Sequence, residues 1–279
     1  MKKGSRLLVL PLACSIALTT VHAQKIALKK GQKLETVATT KMTMEVMGQN
    51  VDNQSTATSS VVLKDITDSG YIFSNTLNRM TVKGNGMGQD VSFDSDKKED
   101  MDGQMGQVLK DKIGAEQEIK VDKSGKVSGI AERDSSKAAG GGMADMMSMT
   151  GALAKGQPYP VLIQLPSKNI KPGDTWTDSS GTPATVKTVM VYTLKSLSGD
   201  SALVTFTGTI AKNGTLQQNG MEIQMDMTGT TKGQSSYESS TGLLKRSSST
   251  SDISGSLGVM GQNAPISATV NAEMVARKL

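Results

Sequence analysis

The stretch Met221-Glu222-Ile223-Gln224-Met225-Asp226-Met227-Thr228 alternates apolar and polar side chains at every position. The same period of two returns in residues 266–274, Ile-Ser-Ala-Thr-Val-Asn-Ala-Glu-Met, and more briefly in Met42-Thr43-Met44-Glu45-Val46. Successive side chains of a strand point to opposite faces of a sheet, so this period predicts strands with one covered face and one wet face. Such strands are typical of antiparallel sheets.

Short turn signals separate these runs along most of the chain. Glycine supplies the positive φ that tight turns need, and Asn and Asp tolerate it. The pattern predicts about ten strands joined mainly by hairpins. Many of them are long, about 8–14 residues, which favours a strongly curved sheet over a compact sandwich. The turn signals are Asp68-Ser69-Gly70, Lys123-Ser124-Gly125, Ser198-Gly199-Asp200, Lys212-Asn213-Gly214 and Ser240-Thr241-Gly242.

Two segments depart from the period of two and predict short amphipathic helices. The first spans residues 101–113, and glycines at 103 and 106 weaken it. The second spans residues 143–153 and follows the run Ala138-Ala139-Gly140-Gly141-Gly142. The predicted fold class is therefore mainly β: a long curved antiparallel sheet, or half-barrel, with one or two short helices against its concave face. The helical apolar positions are Met101, Met105, Val108, Leu109 and Ile113 in the first segment, and Met143, Met146, Met147 and Leu153 in the second.

The domain organisation follows from the continuity of the strand pattern. We expect a single β-rich domain over residues 24–279. An alternative divides it into halves, 25–131 and 157–279, joined by a Gly- and Met-rich helical segment, 132–156. The motive for this alternative is that each half contains an acidic residue, a glycine turn and an apolar position in succession: Asp122-Lys123-Ser124-Gly125 before Val127, and Glu238 before Gly242-Leu243-Leu244.

The first 23 residues predict a secretory signal peptide. Lys2, Lys3 and Arg6 form its charged start, residues 7–18 its apolar centre, and Val21-His22-Ala23 a small-residue cleavage site. Cleavage after Ala23 predicts an exported protein, which we expect in the periplasm. The alternatives are the outer surface or a lipid anchor, because Leu12-Ala13-Cys14 is the core of a lipobox, although the residues after Cys14 stay apolar.

Removal of the signal would change the chemistry of the chain. Its only cysteine and only histidine are Cys14 and His22. The mature chain would therefore lack the usual thiol nucleophile, general base and imidazole metal ligand. After loss of Lys2, Lys3 and Arg6, 28 basic and 26 acidic residues remain, a net charge of +2. Neither a basic stripe nor an apolar run of about 20 residues follows, so we expect no nucleic-acid partner and no transmembrane span.

Candidate chemistry is sparse in the rest of the sequence. Residues 94–102 are rich in acids, but Lys97 and Lys98 interrupt the ligand spacing of a calcium loop, which favours a solvated loop. Methionines at M-x-M spacing could in principle bind Cu(I), but their periods of two and 3.6 are better explained by covered faces. A Ser–His pair cannot form in the mature chain, and no G-x-S-x-G motif is present. We predict no catalytic residue, no metal site and no cofactor.

Several short sequence segments, taken together, resemble a family of uncharacterised exported bacterial proteins, a domain of unknown function. The longest is residues 165–176, Leu-Pro-Ser-Lys-Asn-Ile-Lys-Pro-Gly-Asp-Thr-Trp. The resemblance covers essentially the whole mature chain and implies the curved antiparallel half-barrel of periplasmic lipoprotein carriers, with a helix or two on its concave face. The family has no assigned activity, so the resemblance implies no catalytic residue. The other segments are Leu28-Lys29-Lys30-Gly31-Gln32, Phe93-Asp94-Ser95, Ile113-Gly114 and the stretch from Val121-Asp122 to Gly125-Lys126-Val127.

Methionine outnumbers the aromatic residues, with 18 against eight. Methionine is flexible and polarizable and suits adaptable apolar surfaces. We therefore predict a non-catalytic exported envelope protein that binds a lipophilic or amphipathic molecule, such as a lipid, in an apolar cleft. The alternative is a structural or protein-interaction module of the envelope with a dry core. The lone Trp176 is expected to anchor the core rather than contact a ligand. The predicted cleft wall is Met42, Met44, Met221, Met225 and Met227, and the predicted lid is Met143, Met146 and Met147.

The signal-peptide prediction has a direct test in the intact mass of protein purified from cells that export it. We expect a chain that begins at Gln24 and carries no added mass, because the small-residue site at 21–23 directs cleavage there. A mature species that begins at Cys14 and carries acyl groups would overturn this expectation.

Overall fold

Twelve strands form one antiparallel sheet in the part of the chain that the structure describes. The structure is a computed structural model, and it describes residues 27–46, 48–86, 89–131, 153–166, 169–181, 186–218, 221–259 and 262–279. The prediction of a mainly β, antiparallel fold is confirmed. The strands are β1 (Lys33–Val46), β2 (Gln49–Thr67), β3 (Gly70–Gly86), β4 (Gln89–Asp94), β5 (Glu116–Asp122), β6 (Val127–Ile130), β7 (Thr175–Ser180), β8 (Lys187–Ser198), β9 (Ser201–Gln218), β10 (Met221–Glu238), β11 (Leu244–Val259) and β12 (Gln262–Lys278).

The order of the strands across the sheet is β6-β5-β3-β2-β1-β12-β11-β10-β9-β8-β7, and β4 pairs with the second half of β3. The first and last strands meet in the middle: β1 pairs with β12 from Leu34↔Lys278 to Val46↔Ile266. This pairing joins the N-terminal and C-terminal groups of strands into one sheet. The edge strands β6 and β7 do not pair with each other, so the sheet is not closed into a barrel.

Tight hairpins set the register of the longest strands. β1 and β2, β3 and β4, β9 and β10, and β11 and β12 are each separated in the sequence by two residues, the second of which is glycine. Gly48, for instance, has a φ of 77°. Two-residue hairpins require positive φ and match the twist of the strands they join. The connections thus align strands of up to 19 residues without slippage.

One face of the sheet carries the core. The registers place Leu34, Val61, Leu194 and Val204 on this inner face, and each is at most 3% exposed. The outer face is polar and bears cross-strand hydrogen bonds, such as that from Thr43 Oγ1 to Asp52 Oδ1 at 2.7 Å. A single covered face on so wide a sheet requires that the sheet curve around its own core.

Glycines on the inner face permit this curvature. A Cβ atom built on any of five strand glycines would lie within 3.0 Å of a carbonyl oxygen of the neighbouring strand, closer than real Cβ atoms approach. Glycine inside a strand commonly marks such a bend or close backbone approach. Larger side chains at these sites would force the strands apart. The five are Gly84, Gly208, Gly229, Gly233 and Gly255.

Two short helices follow β4: α1 (Lys98–Asp102) and α2 (Gln104–Leu109). α2 lies within the first segment of predicted helix, residues 101–113, whereas α1 begins three residues before that segment. Gly103 separates the two helices. Gly106 packs so closely on the backbone of Met101 that a Cβ would not fit. The helices pack on each other, and α1 also packs on β4. The second predicted helix, residues 143–153, lies outside the described residues except for Leu153.

A strap, residues 153–166, covers one end of the inner face. It is anchored on two turns that come from opposite sides of the sheet, the β5–β6 turn and the β10–β11 turn. Tyr159, Leu162 and Leu165 of the strap are buried among the core side chains. The anchoring hydrogen bonds are Gly156 N to Val127 O (2.7 Å), Tyr159 N to Gly125 O (2.9 Å), Ile163 N to Gly242 O (2.9 Å) and Leu244 N to Val161 O (3.0 Å).

The two edges of the sheet also approach each other beside the strap. Lys126, in the β5–β6 turn, donates from Nζ to Asp178 Oδ1 of β7 at 2.5 Å and to the carbonyl oxygen of Ser179 at 3.3 Å. β5 and β7 lie at opposite ends of the strand order. The ion pair therefore shows that the sheet curls until its edges almost meet.

Glu238 fixes the second anchor of the strap. The residue is 9% exposed, and its carboxylate accepts hydrogen bonds from Thr241 in the same turn and from Lys278 at the end of β12. Burial raises the pKa of Glu238, but the hydrogen bonds from Lys278 and Thr241 outweigh burial and hold the pKa below its ordinary value of 4.5. The ionised carboxylate thus stabilises the folded chain.

Replacement of an inner-face glycine should open the sheet. We expect Gly255→Ala to lower the free energy of unfolding by about 1–3 kcal/mol, because its methyl group would collide with the Asp226 carbonyl oxygen. The matched control is Gly129→Ala, since the nearest atoms to a Cβ there are side-chain carbons of Lys120 at 3.8 Å. Urea unfolding measures both, and equal effects would contradict the steric argument.

Acid should weaken the Glu238 anchor. Because the folded pKa of Glu238 lies below 4.5, its contribution is complete above pH 4.5 and is lost as the pH falls through the folded value. We expect Glu238→Gln to lower the urea midpoint at pH 7, and the difference from the wild type to shrink at pH 3. Glu118→Gln, at an exposed position of β5, is the control. A pH-independent deficit for Glu238→Gln would refute the linkage.

Candidate functional site

A groove of about 520 Å³ runs along the inner face beside the strap. Its lining comes from β1, β2, β3, β7, β8, β9, β10, β11 and β12, together with the strap and the β5–β6 turn. No residue of α1 or α2 lines it. The groove is therefore a product of the curved sheet and its strap.

Small side chains form the floor of the groove. Ala38 of β1 pairs with Ala57 of β2, and Ala272 of β12 pairs with Ser249 of β11, all on the inner face. Large apolar residues are buried on both sides of this floor, under the strap at one end and around Met225 at the other. The groove exists because the four central strands carry small residues between two packed regions.

An aromatic wall closes the side formed by β7, β8 and β9. Trp176, Tyr192 and Phe206 lie at directly paired positions of these strands. The rings of Trp176 and Tyr192 stack with centroids 5.3 Å apart, and those of Tyr192 and Phe206 are tilted at 6.1 Å. Tyr237 and the strap residue Tyr159 also line the groove. Five of the eight aromatic residues of the chain thus meet around one space.

Phe206 reaches across to the next strand. A Cβ on Gly233 of β10 would lie within 3.0 Å of the Phe206 ring, so the ring covers this glycine. Trp176 both packs against the buried Leu194 and Val204 cluster and borders the groove. Trp176 is therefore packed against the core, as the sequence led us to expect, and is also part of the groove lining.

The described methionines of the predicted cleft wall differ in how deeply they are buried. Met44, Met225 and Met227 pack with Ile266 into a buried methionine cluster at the hairpin end of the sheet. Met42 is only partly buried: it packs against this cluster and also lines the groove. The side chain of Met221 lies outside the described residues, as do Met143, Met146 and Met147. Three methionines that were not part of the predicted cleft wall or lid also line the groove: Met80, Met190 and Met274.

Polar groups gather where the strap meets the groove. Lys126 and Asp178, the ion pair across the sheet edges, both line it. Burial raises the pKa of Tyr192 well above its ordinary value, and the nearby Tyr237 and Asp178 raise it further. The phenol of Tyr192 thus stays neutral at physiological pH. The Tyr159 hydroxyl is buried and has no hydrogen-bond partner among the described residues.

The described residues contain no group of three or more His, Cys, Asp or Glu side chains placed to hold a metal ion. The acidic stretch at 94–102 is instead tied into local structure: Asp94 accepts two hydrogen bonds from Arg79, and Asp100 accepts one from the Asp94 amide. The hydrogen bond from Arg79 is the main cause that lowers the pKa of Asp94. Of the described helices, none is long and apolar enough to cross a bilayer.

Comparison with solved structures identifies lipovitellin as a fold relative. A structure of lipid–protein interactions in lipovitellin matches 89% of this chain with a TM-score of 0.53 at 10% identity. The chain spans only 25% of the lipovitellin chain that it matches. The likeness shows a shared fold.

Other similarities to solved structures are weaker. The chain aligns over 89% of its length, and over 100% of theirs, with OccK7 of Pseudomonas aeruginosa and with the β domain of the Bordetella autotransporter Brka. Their identities are 8% and 7%, and both TM-scores are 0.24, too low to carry an argument.

Sequence comparison gives the family. No curated protein sequence matches this chain significantly. A family model matches residues 68–139 and 155–244, which include the strap from residue 155 onward, the aromatic wall and all five turn signals. The resemblance to a domain of unknown function is thereby confirmed, whereas the likeness to lipoprotein carriers stays a prediction. The chain belongs to DUF6263, a family of unknown function.

Proposed function

We propose that the protein is a non-catalytic, exported envelope protein that binds one lipophilic or amphipathic molecule in the inner-face groove. The observation that carries this proposal is the groove itself: about 520 Å³ of space between a floor of small residues and a wall of aromatic rings. Small-molecule sites commonly have volumes of about 300–1,000 Å³ and mostly apolar linings. The volume suits a single ligand rather than a bulk lipid phase.

The character of the lining supports a lipophilic ligand. Trp176, Tyr192 and Phe206 offer broad ring faces, and Met80 and Met190 offer adaptable thioethers. Binding is favourable when a ligand removes the apolar atoms of such a lining from water. The lipovitellin structure, whose subject is lipid–protein interactions, has the same fold over 89% of this chain and agrees with this choice of ligand.

The proposal of an exported, non-catalytic protein rests on the residues themselves. Residues 1–23 have the features of a secretory signal, and their removal takes away Cys14 and His22. The charged residues around the groove are Lys126, Asp178 and Glu273. Glu273 directly follows Ala272 of the inner face, so alternation along β12 directs its carboxylate to the outer face. Lys126 pairs with Asp178 and Glu273 pairs with Arg246, an arrangement that suits binding better than proton transfer. We place the protein in the periplasm.

A second candidate function is a structural or protein-interaction role with a dry interior. The methionine cluster favours it, because Met44, Met225, Met227 and Ile266 are each at most 8% exposed and fill one end of the inner face. This role would require that the groove also be closed in the working protein, by a partner or by other parts of the chain.

The only tryptophan reports on the groove. Because Trp176 borders the groove, we expect titration with the apolar fluorophore N-phenyl-1-naphthylamine to quench its emission and to enhance the emission of the probe. Ala272→Leu should weaken probe binding at least about tenfold, since an extra isobutyl group would occupy the floor. Native mass spectrometry of the protein purified from its own envelope should detect a bound lipophile.

The matched control is Ala211→Leu, the same change on the outer face of β9. It should leave probe affinity unchanged, and urea unfolding establishes that both variants are folded. Clean apoprotein by mass spectrometry together with no probe binding would reject the ligand-binding proposal in favour of the structural role. Equal weakening by both substitutions would also reject the groove as the binding site.

A further inference from the structure

Tyr159, a strap residue that lines the groove, carries a hydrogen-bond donor that no described residue satisfies. It is 2% exposed, packs on Phe73 with ring centroids 4.9 Å apart, and lines the groove. Its hydroxyl has no hydrogen-bond partner among the described residues. A buried hydroxyl without a partner costs about 1–3 kcal/mol, so buried tyrosines normally find one. A hydrogen bond from the Tyr159 amide N–H to the Gly125 carbonyl oxygen holds this part of the strap in place.

The charges around the groove are already neutralised. Lys126 is the only cation among the lining residues that the structure describes, and it gives hydrogen bonds to both Asp178 and the Ser179 carbonyl. An anionic head group would have to displace Asp178 from Lys126, which leaves that carboxylate uncompensated, or lie in the groove without a cation to pair with. Either arrangement costs free energy in a partly buried site. A neutral head group meets neither cost.

From these two observations, we propose that the groove recognises a neutral lipophile that carries an uncharged carbonyl acceptor, such as an acyl ester, and that Tyr159 donates the hydrogen bond to it. This inference rests on the proposed function and names the ligand class. The carbonyl lies at the strap end, where Tyr159 and the ion pair are found. The hydrocarbon chain extends over the floor formed by Ala38, Ala57 and Ala272 towards Met42.

The positions of the ion pair and of the Tyr159 hydroxyl support this orientation. The Lys126–Asp178 pair and the Tyr159 hydroxyl lie at the strap, whereas the far end of the groove runs towards the buried methionine cluster. A ligand in the reverse orientation would bring its carbonyl towards Met42 and its register partner Asn53, away from the Tyr159 hydroxyl. The Tyr159 hydroxyl would then remain unsatisfied.

Displacement of N-phenyl-1-naphthylamine from the full mature chain tests the inference. The competitors are monopalmitoylglycerol, an uncharged ester, and palmitate at pH 9, a carboxylate with the same chain length. We expect the ester to bind at least about tenfold more tightly than palmitate. Tyr159→Phe should weaken the ester about threefold to tenfold, the value of one hydrogen bond, and should leave the affinity for the apolar probe unchanged.

Tyr71→Phe is the matched control, because Tyr71 packs near Phe73 but does not line the groove. It should leave the affinity for the ester unchanged. Urea unfolding of Tyr159→Phe provides a second readout: without ligand the variant should be at least as stable as the wild type, since it loses an unpartnered hydroxyl.

The outcomes separate the two proposals. If the probe and the ester bind but Tyr159→Phe changes neither affinity, or if palmitate binds as tightly as the ester, the inference about the ligand class is overturned while the proposed function stands. If neither the probe nor any competitor binds the wild type, the proposed function itself fails.

Discussion

The pairing of β1 with β12 is the contact on which the rest of the structure depends. It joins the strands of residues 33–130 to those of residues 175–278, so neither group has to leave a long edge exposed in the middle of the sheet. The two partners are more than 200 residues apart in the chain. The closure entropy of such a loop rises only slowly with length, and a run of paired residues from Leu34 to Val46 compensates for it. The floor of the groove, from Ala57 to Ser249, is centred on this junction.

The strap, rather than the edge ion pair, holds the curled sheet together. Lys126 and Asp178 retain 29% and 25% of their side-chain exposure, and pairs that water can reach contribute about 1 kcal/mol or less. Tyr159, Val161, Leu162 and Leu165 are each at most 4% exposed. Burial of one such side chain is worth about 1.5–3 kcal/mol, so the strap outweighs the ion pair several times over. The ion pair instead fixes where the edges meet and sets the polarity of the groove beside them.

The sequence predicts the strands well because their information is local. Alternation identifies the faces of β1, β10 and β12, and glycine turns identify the hairpins. The depth of a side chain on its face depends on partners far away in the chain. Met42 and Met44 have the same alternation, yet Met42 borders the groove and Met44 joins a cluster with Met225. Likewise, Trp176, Tyr192 and Phe206 become one wall only through the registers of β7, β8 and β9. Tyr192 and Phe206 lie at equal sequence distances on either side of the turn signal Ser198-Gly199-Asp200, a spacing that could have indicated this pair.

The small residues of the floor bear most directly on function. A sheet that had only to be stable would place Leu or Ile at Ala38, Ala57 and Ala272, since each added buried methylene contributes about 0.8 kcal/mol. The same inner face does so elsewhere, under the strap and in the methionine cluster. A gap between two well-packed regions is therefore a local departure from packing rather than a general looseness of the fold. Departures of this kind are expected at functional sites, where a ligand completes the core and adds its binding free energy to the stability of the folded chain.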